Sequence, residues 1–78
     1  MKYLATFYTH SGAVKYQNHL KKQSITVELM PVPRKLSSSC GIAARFHYEK
    51  DIRSMISEDI DSLFEIAGTD YKLIYKNS

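Results

Sequence analysis

The chain has 78 residues, of which 44% are apolar and 24% charged, and its net charge is +3. This length suits one small core, and we expect residues 1–78 to form a single domain. No stretch approaches the roughly 18–20 consecutive apolar residues of a membrane span, so we predict no membrane association. A lone cysteine excludes an internal disulfide, which favours the reducing cytoplasm as the compartment.

Charge is distributed unevenly along the chain. Glu28 is the only acid of the first half, whereas the second half is acidic. The residues that produce this gradient are Lys15, Lys21, Lys22, Arg34 and Lys35 on the basic side, and Glu58, Asp59, Asp61 and Glu65 on the acidic side. Such a gradient can orient an acidic partner, although scattered lysines more often form a solvated surface.

The first third of the chain predicts a strand and a helix. Residues 2–8 are nearly all apolar and rich in aromatic residues, which is typical of a central strand buried on both faces. Ser11 is a candidate N-cap for an amphipathic helix from Gly12 to about Gln23. Its apolar positions recur at helical spacing: Ala13, Tyr16 and Leu20.

Two further strands surround a polar loop. Apolar residues alternate from Ile25 to Met30, and this strand is expected to stop at Pro31 and Pro33, which lack the N–H of a sheet ladder. The next strand has a clear period of two. Its core-facing residues are predicted to be Ile42, Ala44, Phe46 and Tyr48.

The last third predicts a second helix and a final strand. Asp51 is a candidate cap, and the apolar residues up to Phe64 fit a helical i, i+3, i+4 pattern that ends at Gly68. Tyr71–Lys76 then forms a strand with Tyr71, Leu73 and Tyr75 on one side. The order β-α-β-β-α-β predicts an α+β, ferredoxin-like fold, in which two helices cover one face of a four-stranded antiparallel sheet.

The segment Pro31–Gly41, PVPRKLSSSCG, carries the most distinctive chemistry. Its prolines stiffen the loop, its serines supply hydroxyls and backbone amides, and Gly41 permits conformations or close approaches that a side chain would block. A reactive cysteine needs cations or amide donors nearby, because only the thiolate is nucleophilic. Arg34 and Lys35 can supply that charge to Cys40 if the loop folds back.

This segment resembles a known family, the selenium/sulfur carrier-like proteins. The resemblance rests on PVPR followed by SSSCG and by a strand that ends Arg45-Phe46, and it extends over nearly the whole chain. It implies that Cys40 holds sulfur or selenium as a persulfide or selenylsulfide and passes it on, so that the partners are donor and acceptor proteins. Supporting roles fall to Arg34, Lys35, Ser38, Ser39 and Gly41. The protein is then a carrier rather than a stand-alone enzyme.

A structural role for Cys40 stays open, because free cysteine is among the most buried residues and Cys40 shares the parity of Ile42 and Ala44. The chain has no second cysteine to resolve a disulfide, which argues against a dithiol oxidoreductase. The strongest non-chemical alternative is a small interaction or regulatory domain that recognises partners with the 31–41 loop and forms homo-oligomers through a sheet face or edge.

Other functions fit the sequence less well. The spacing of His10, His19 and His47 matches no zinc motif, so we expect neither a metal nor a cofactor. An RNA-binding sheet needs aromatic residues on an open face, whereas Phe46 and Tyr48 are predicted to face the core. The serines lack the glycines of a hydrolase nucleophile elbow.

Overall fold

The computed structural model describes residues 1–38 and 40–77, and within them five strands form one antiparallel sheet with a single α-helix. The strands lie side by side in the order β2-β3-β1-β4-β5. The elements are β1 (Lys2–Phe7), α1 (His10–Lys22), β2 (Val27–Pro31), β3 (Ile42–His47), a 3₁₀ turn (Ile52–Met55), β4 (Ile60–Ala67) and β5 (Asp70–Lys76). No helix in the described ranges has the length and apolarity to cross a membrane.

The predicted ferredoxin-like fold is wrong, because the expected second helix is a 3₁₀ turn followed by strand β4. Ile60, Leu63 and Phe64 fit a helical spacing, but they equally fit a strand with two apolar faces. In β4, Leu63 packs in the core below α1, while the neighbouring Phe64 faces the other side of the sheet. Periodicity alone does not distinguish these two structures.

β1 lies at the centre of the sheet, as its composition predicts. It pairs with β3 on one side and β4 on the other, and every residue from Tyr3 to Phe7 is buried. Tyr3, Ala5 and Phe7 join the core under α1, while Leu4 and Thr6 are fully buried on the opposite face. The expectation of a strand buried on both faces is therefore confirmed.

α1 covers the first face of the sheet with the three residues expected from its periodicity, Ala13, Tyr16 and Leu20. Its N-cap is Thr9 rather than Ser11, since the Thr9 hydroxyl accepts a hydrogen bond from the Gly12 N–H at 3.0 Å. The Tyr16 hydroxyl donates to the Met55 carbonyl at 2.8 Å and so joins the helix to the 3₁₀ turn. α1 and this turn together occupy the first face.

β5 differs from the prediction because the strand contains an irregularity. Leu63 pairs with Tyr75, but the next residue, Phe64, pairs with Leu73, so Ile74 is an extra residue in β5. Tyr75 consequently packs against the core, while Leu73 lies on the opposite face and is 50% exposed. The prediction that both residues share one side is wrong.

Residues 32–38, which we name the strap, leave the end of β2 and reach the turn between β4 and β5. The strap begins where the Val32 N–H donates to the Gly41 carbonyl, and it ends where the Ser38 hydroxyl donates to the Phe7 carbonyl. Its middle reaches the β4–β5 turn at the other end of the sheet, where Lys35 contacts Thr69. On the second face of the sheet, opposite α1, Leu4, Thr6 and Ala43 are fully buried. The half-buried apolar residues of the strap are Val32, Pro33 and Leu36.

Candidate functional site

Cys40 lies at the junction between the loop and β3. It is half-buried and packs against the core cluster, as the parity of the strand suggests. Its thiol donates to the Ile42 carbonyl at 3.5 Å, a distance within the range of a sulfur hydrogen bond. Cys40 is thus neither fully buried nor fully exposed.

Ser38 is a predicted site residue whose side chain lies beside the thiol. Its Oγ is 4.0 Å from the Cys40 Sγ and 3.3 Å from the Phe7 carbonyl oxygen, to which it donates. The hydroxyl therefore anchors the end of the strap to β1 while facing the sulfur. Ser39 falls outside the described residues.

The backbone conformation at position 41 favours glycine, because the φ of Gly41 is 73° and lies in the left-handed region. Among the described residues, and apart from its two chain neighbours, no atom lies within 4 Å of the position that a Cβ would occupy. Within the described part of the chain, the backbone conformation is therefore the feature that favours glycine at this position.

The two cations proposed to assist the thiol are placed differently. The Lys35 ammonium donates to the Thr69 carbonyl at 3.2 Å and lies 3.9 Å from the Asp70 carboxylate, at the β4–β5 turn. Arg34 is exposed on the strap. The loop thus places the Lys35 charge at this turn.

His10 is a neighbour of the site that the sequence did not assign to it. A shallow cavity of about 330 Å³ brings His10, at the start of α1, next to Gly41 and the end of β2. Its other lining residues are Leu29, Met30, Pro31 and Ile42. No local pattern predicts this proximity, which arises because α1 begins beside the first residue of β3.

His10 and His19 lie near opposite ends of α1, whereas His47 lies at the end of β3 and pairs with Glu49. In the described part of the chain no three His, Cys, Asp or Glu side chains are grouped closely enough to hold a metal ion. A larger groove of about 850 Å³ runs along α1 from Ser11 to Lys22 and reaches residues 57–59. Cys40 does not line this groove.

Comparison with known proteins agrees with the motif around Cys40. The family model described as "Putative Se/S carrier protein-like" matches residues 2–76, which is nearly the whole chain. No curated protein and no solved structure gives a significant match. Since the family model spans β1 to β5 and includes the whole PVPRKLSSSCG segment, the chain belongs to the Se/S carrier protein-like family.

Proposed function

We propose that this protein carries sulfur or selenium on Cys40, as a persulfide or selenylsulfide, between donor and acceptor proteins. The observation that carries the proposal is the half-buried single thiol beside Ser38, within the SSSCG segment of a chain that belongs to the carrier-like family. A reducing compartment such as the cytoplasm would keep this thiol free. The role is that of a carrier and needs no second cysteine.

The proposed loading step is an exchange without net oxidation. The Cys40 thiolate attacks the terminal sulfur of a donor persulfide, a new S–S bond forms, and the donor's S–S bond breaks. The electron pair of the broken bond leaves on the donor thiolate. An acceptor thiolate then attacks the terminal sulfur on Cys40 and releases the Cys40 thiolate, and selenium follows the same steps from a selenopersulfide donor.

The partial burial of Cys40 is compatible with this chemistry, because the sulfur is not fully enclosed by the core against which it packs. The added chalcogen extends about 2 Å beyond the Cys40 sulfur. The next residue, Gly41, has no side chain and lines a shallow cavity of about 330 Å³.

The decisive experiment is intact-mass analysis of the non-reduced protein after incubation with a small-molecule persulfide or selenopersulfide. We expect the wild-type protein to gain one sulfur or selenium atom, to lose it on reduction, and to transfer it to an added thiol acceptor. Cys40→Ser should gain nothing. Ser37→Ala, a change at an exposed serine of the strap, is the matched control and should load like the wild type.

Two results would overturn the carrier proposal. One is a wild-type protein that gains no chalcogen, with a Cys40 thiol that alkylates only after denaturation. The other is a gain that persists in Cys40→Ser. In either case the 31–41 loop would be better explained as a partner-recognition segment.

A further inference from the structure

Lys35 makes its contacts at the far end of the sheet from the loop's attachment points. Its ammonium donates to the Thr69 carbonyl and faces the Asp70 carboxylate, and both charged side chains are largely exposed. The two contacts join the middle of the strap to the turn that connects β4 and β5. They are polar and solvent-exposed, so salt weakens them.

The same strap ends two residues before Cys40. The Ser38 hydroxyl donates to the Phe7 carbonyl and lies 4.0 Å from the sulfur, so the end of the strap holds a side chain beside the thiol. Between Lys35 and Ser38, Leu36 is half-buried. Release of the middle of the strap therefore loosens the segment that holds the Ser38 hydroxyl beside the thiol.

We propose that Lys35 is a positioning residue, which latches the strap to Thr69 and Asp70 and so limits access of large reagents to Cys40. The latch rests on the proposed function and extends it, since it controls the access of reagents to the same thiol. A partner that displaces Lys35 from the β4–β5 turn would expose the loaded or unloaded cysteine. In the absence of such a partner, the strap protects the chalcogen from bulky thiols.

This role differs measurably from the electrostatic role that the sequence suggested for Lys35. A cation acting on the thiolate shifts the pH dependence of alkylation when it is removed. A latch instead changes how fast a bulky reagent reacts, while the pH–rate profile keeps its position. The two roles therefore predict opposite outcomes for the same variant.

The experiment measures alkylation of Cys40 in the folded protein by small iodoacetamide and by a polymer-linked maleimide. In Lys35→Met, which keeps most of the aliphatic stem, we expect the maleimide to react about two- to fivefold faster than with the wild type. In Lys35→Met, the rate of reaction with iodoacetamide and the pH–rate profile should equal those of the wild type within experimental error. Lys35→Arg should restore the wild-type maleimide rate, and high salt should raise that rate in the wild type but not in Lys35→Met.

Lys50→Met is the matched control, because it removes the same charge from an exposed lysine in the segment after β3. A shifted pH–rate profile in Lys35→Met would overturn the latch in favour of an electrostatic role. An unchanged maleimide rate, or an equal rise in Lys50→Met, would also overturn it. Neither readout requires chalcogen loading, so the latch and the carrier proposal fail separately.

Discussion

Asp51 stabilises the 3₁₀ turn through its carboxylate. The carboxylate accepts hydrogen bonds from the Arg53 guanidinium at 2.9–3.2 Å and from the Arg53 backbone N–H at 3.1 Å. The guanidinium first, and the backbone N–H second, hold the pKa of the Asp51 carboxyl below its usual value. The residue expected to cap a helix thus caps a shorter turn.

Removal of the guanidinium should raise the pKa of Asp51. In Arg53→Met, NMR titration should place this pKa above that of the wild type, yet still below its usual value because the backbone N–H remains. Since folding lowers the pKa, the carboxylate stabilises the protein above the unfolded-state pKa, and this contribution is lost as the pH falls through the folded-state pKa. Arg34→Met, at an exposed strap arginine, should leave the Asp51 titration unchanged. Identical titrations in all three proteins would contradict the proposed cause.

At the scale of the element, α1 ends in a Schellman motif. The Ser24 N–H donates to the Lys21 carbonyl and the Ile25 N–H donates to the Leu20 carbonyl, each at 3.0 Å. This geometry requires a left-handed residue at position 24, and Ser24 has a φ of 62°. Serine adopts this conformation at a cost that glycine avoids.

Ser24→Gly should therefore stabilise the protein, by about 0.5–1 kcal/mol in urea denaturation. The reverse change at the β4–β5 turn, Gly68→Ala, should destabilise it by about 1 kcal/mol, since Gly68 has a φ of 62°. Ser37→Gly is the control, because Ser37 does not have a left-handed conformation. This change should not stabilise the protein. Equal effects of glycine at positions 24 and 37 would refute this explanation.

At the scale of the whole molecule, one core on the first face of the sheet contributes most to stability. Leu63 is fully buried in it, in register with Ala5 on β1 and Tyr75 on β5. Leu73 offers a matched leucine on the neighbouring strand, because it is 50% exposed on the opposite face. Truncation of each leucine to alanine therefore compares the same change inside and outside the core.

Leu63→Ala should lower the free energy of unfolding by about 2–5 kcal/mol, whereas Leu73→Ala should cost less than about 1 kcal/mol. A domain of this size has a total stability of roughly 4–12 kcal/mol, so the first variant loses a large share of it. Urea denaturation followed by far-UV circular dichroism and by tyrosine fluorescence measures both values. Similar losses in the two variants would show that the buried face is wrongly assigned.

The candidate site was only partly predictable from its residues. The lone cysteine, the serines before it and the family resemblance all identify Cys40 without a structure, and the parity of β3 indicates that it packs towards the core. The contacts of Lys35 and the proximity of His10 depend on which turn and which helix end lie nearby in space. Both arise from pairing between distant parts of the chain, which local sequence does not encode.

The sequence by itself determined β1, α1 and β3, because each has one clear periodicity or an unbroken apolar run with a definite length. Only the tertiary structure decided that residues 60–67 form strand β4. Apolar residues at 60, 63, 64 and 66 suit either a helix with one buried side or a strand with two buried faces, and the strand forms because β1 and β5 pair with it on both edges.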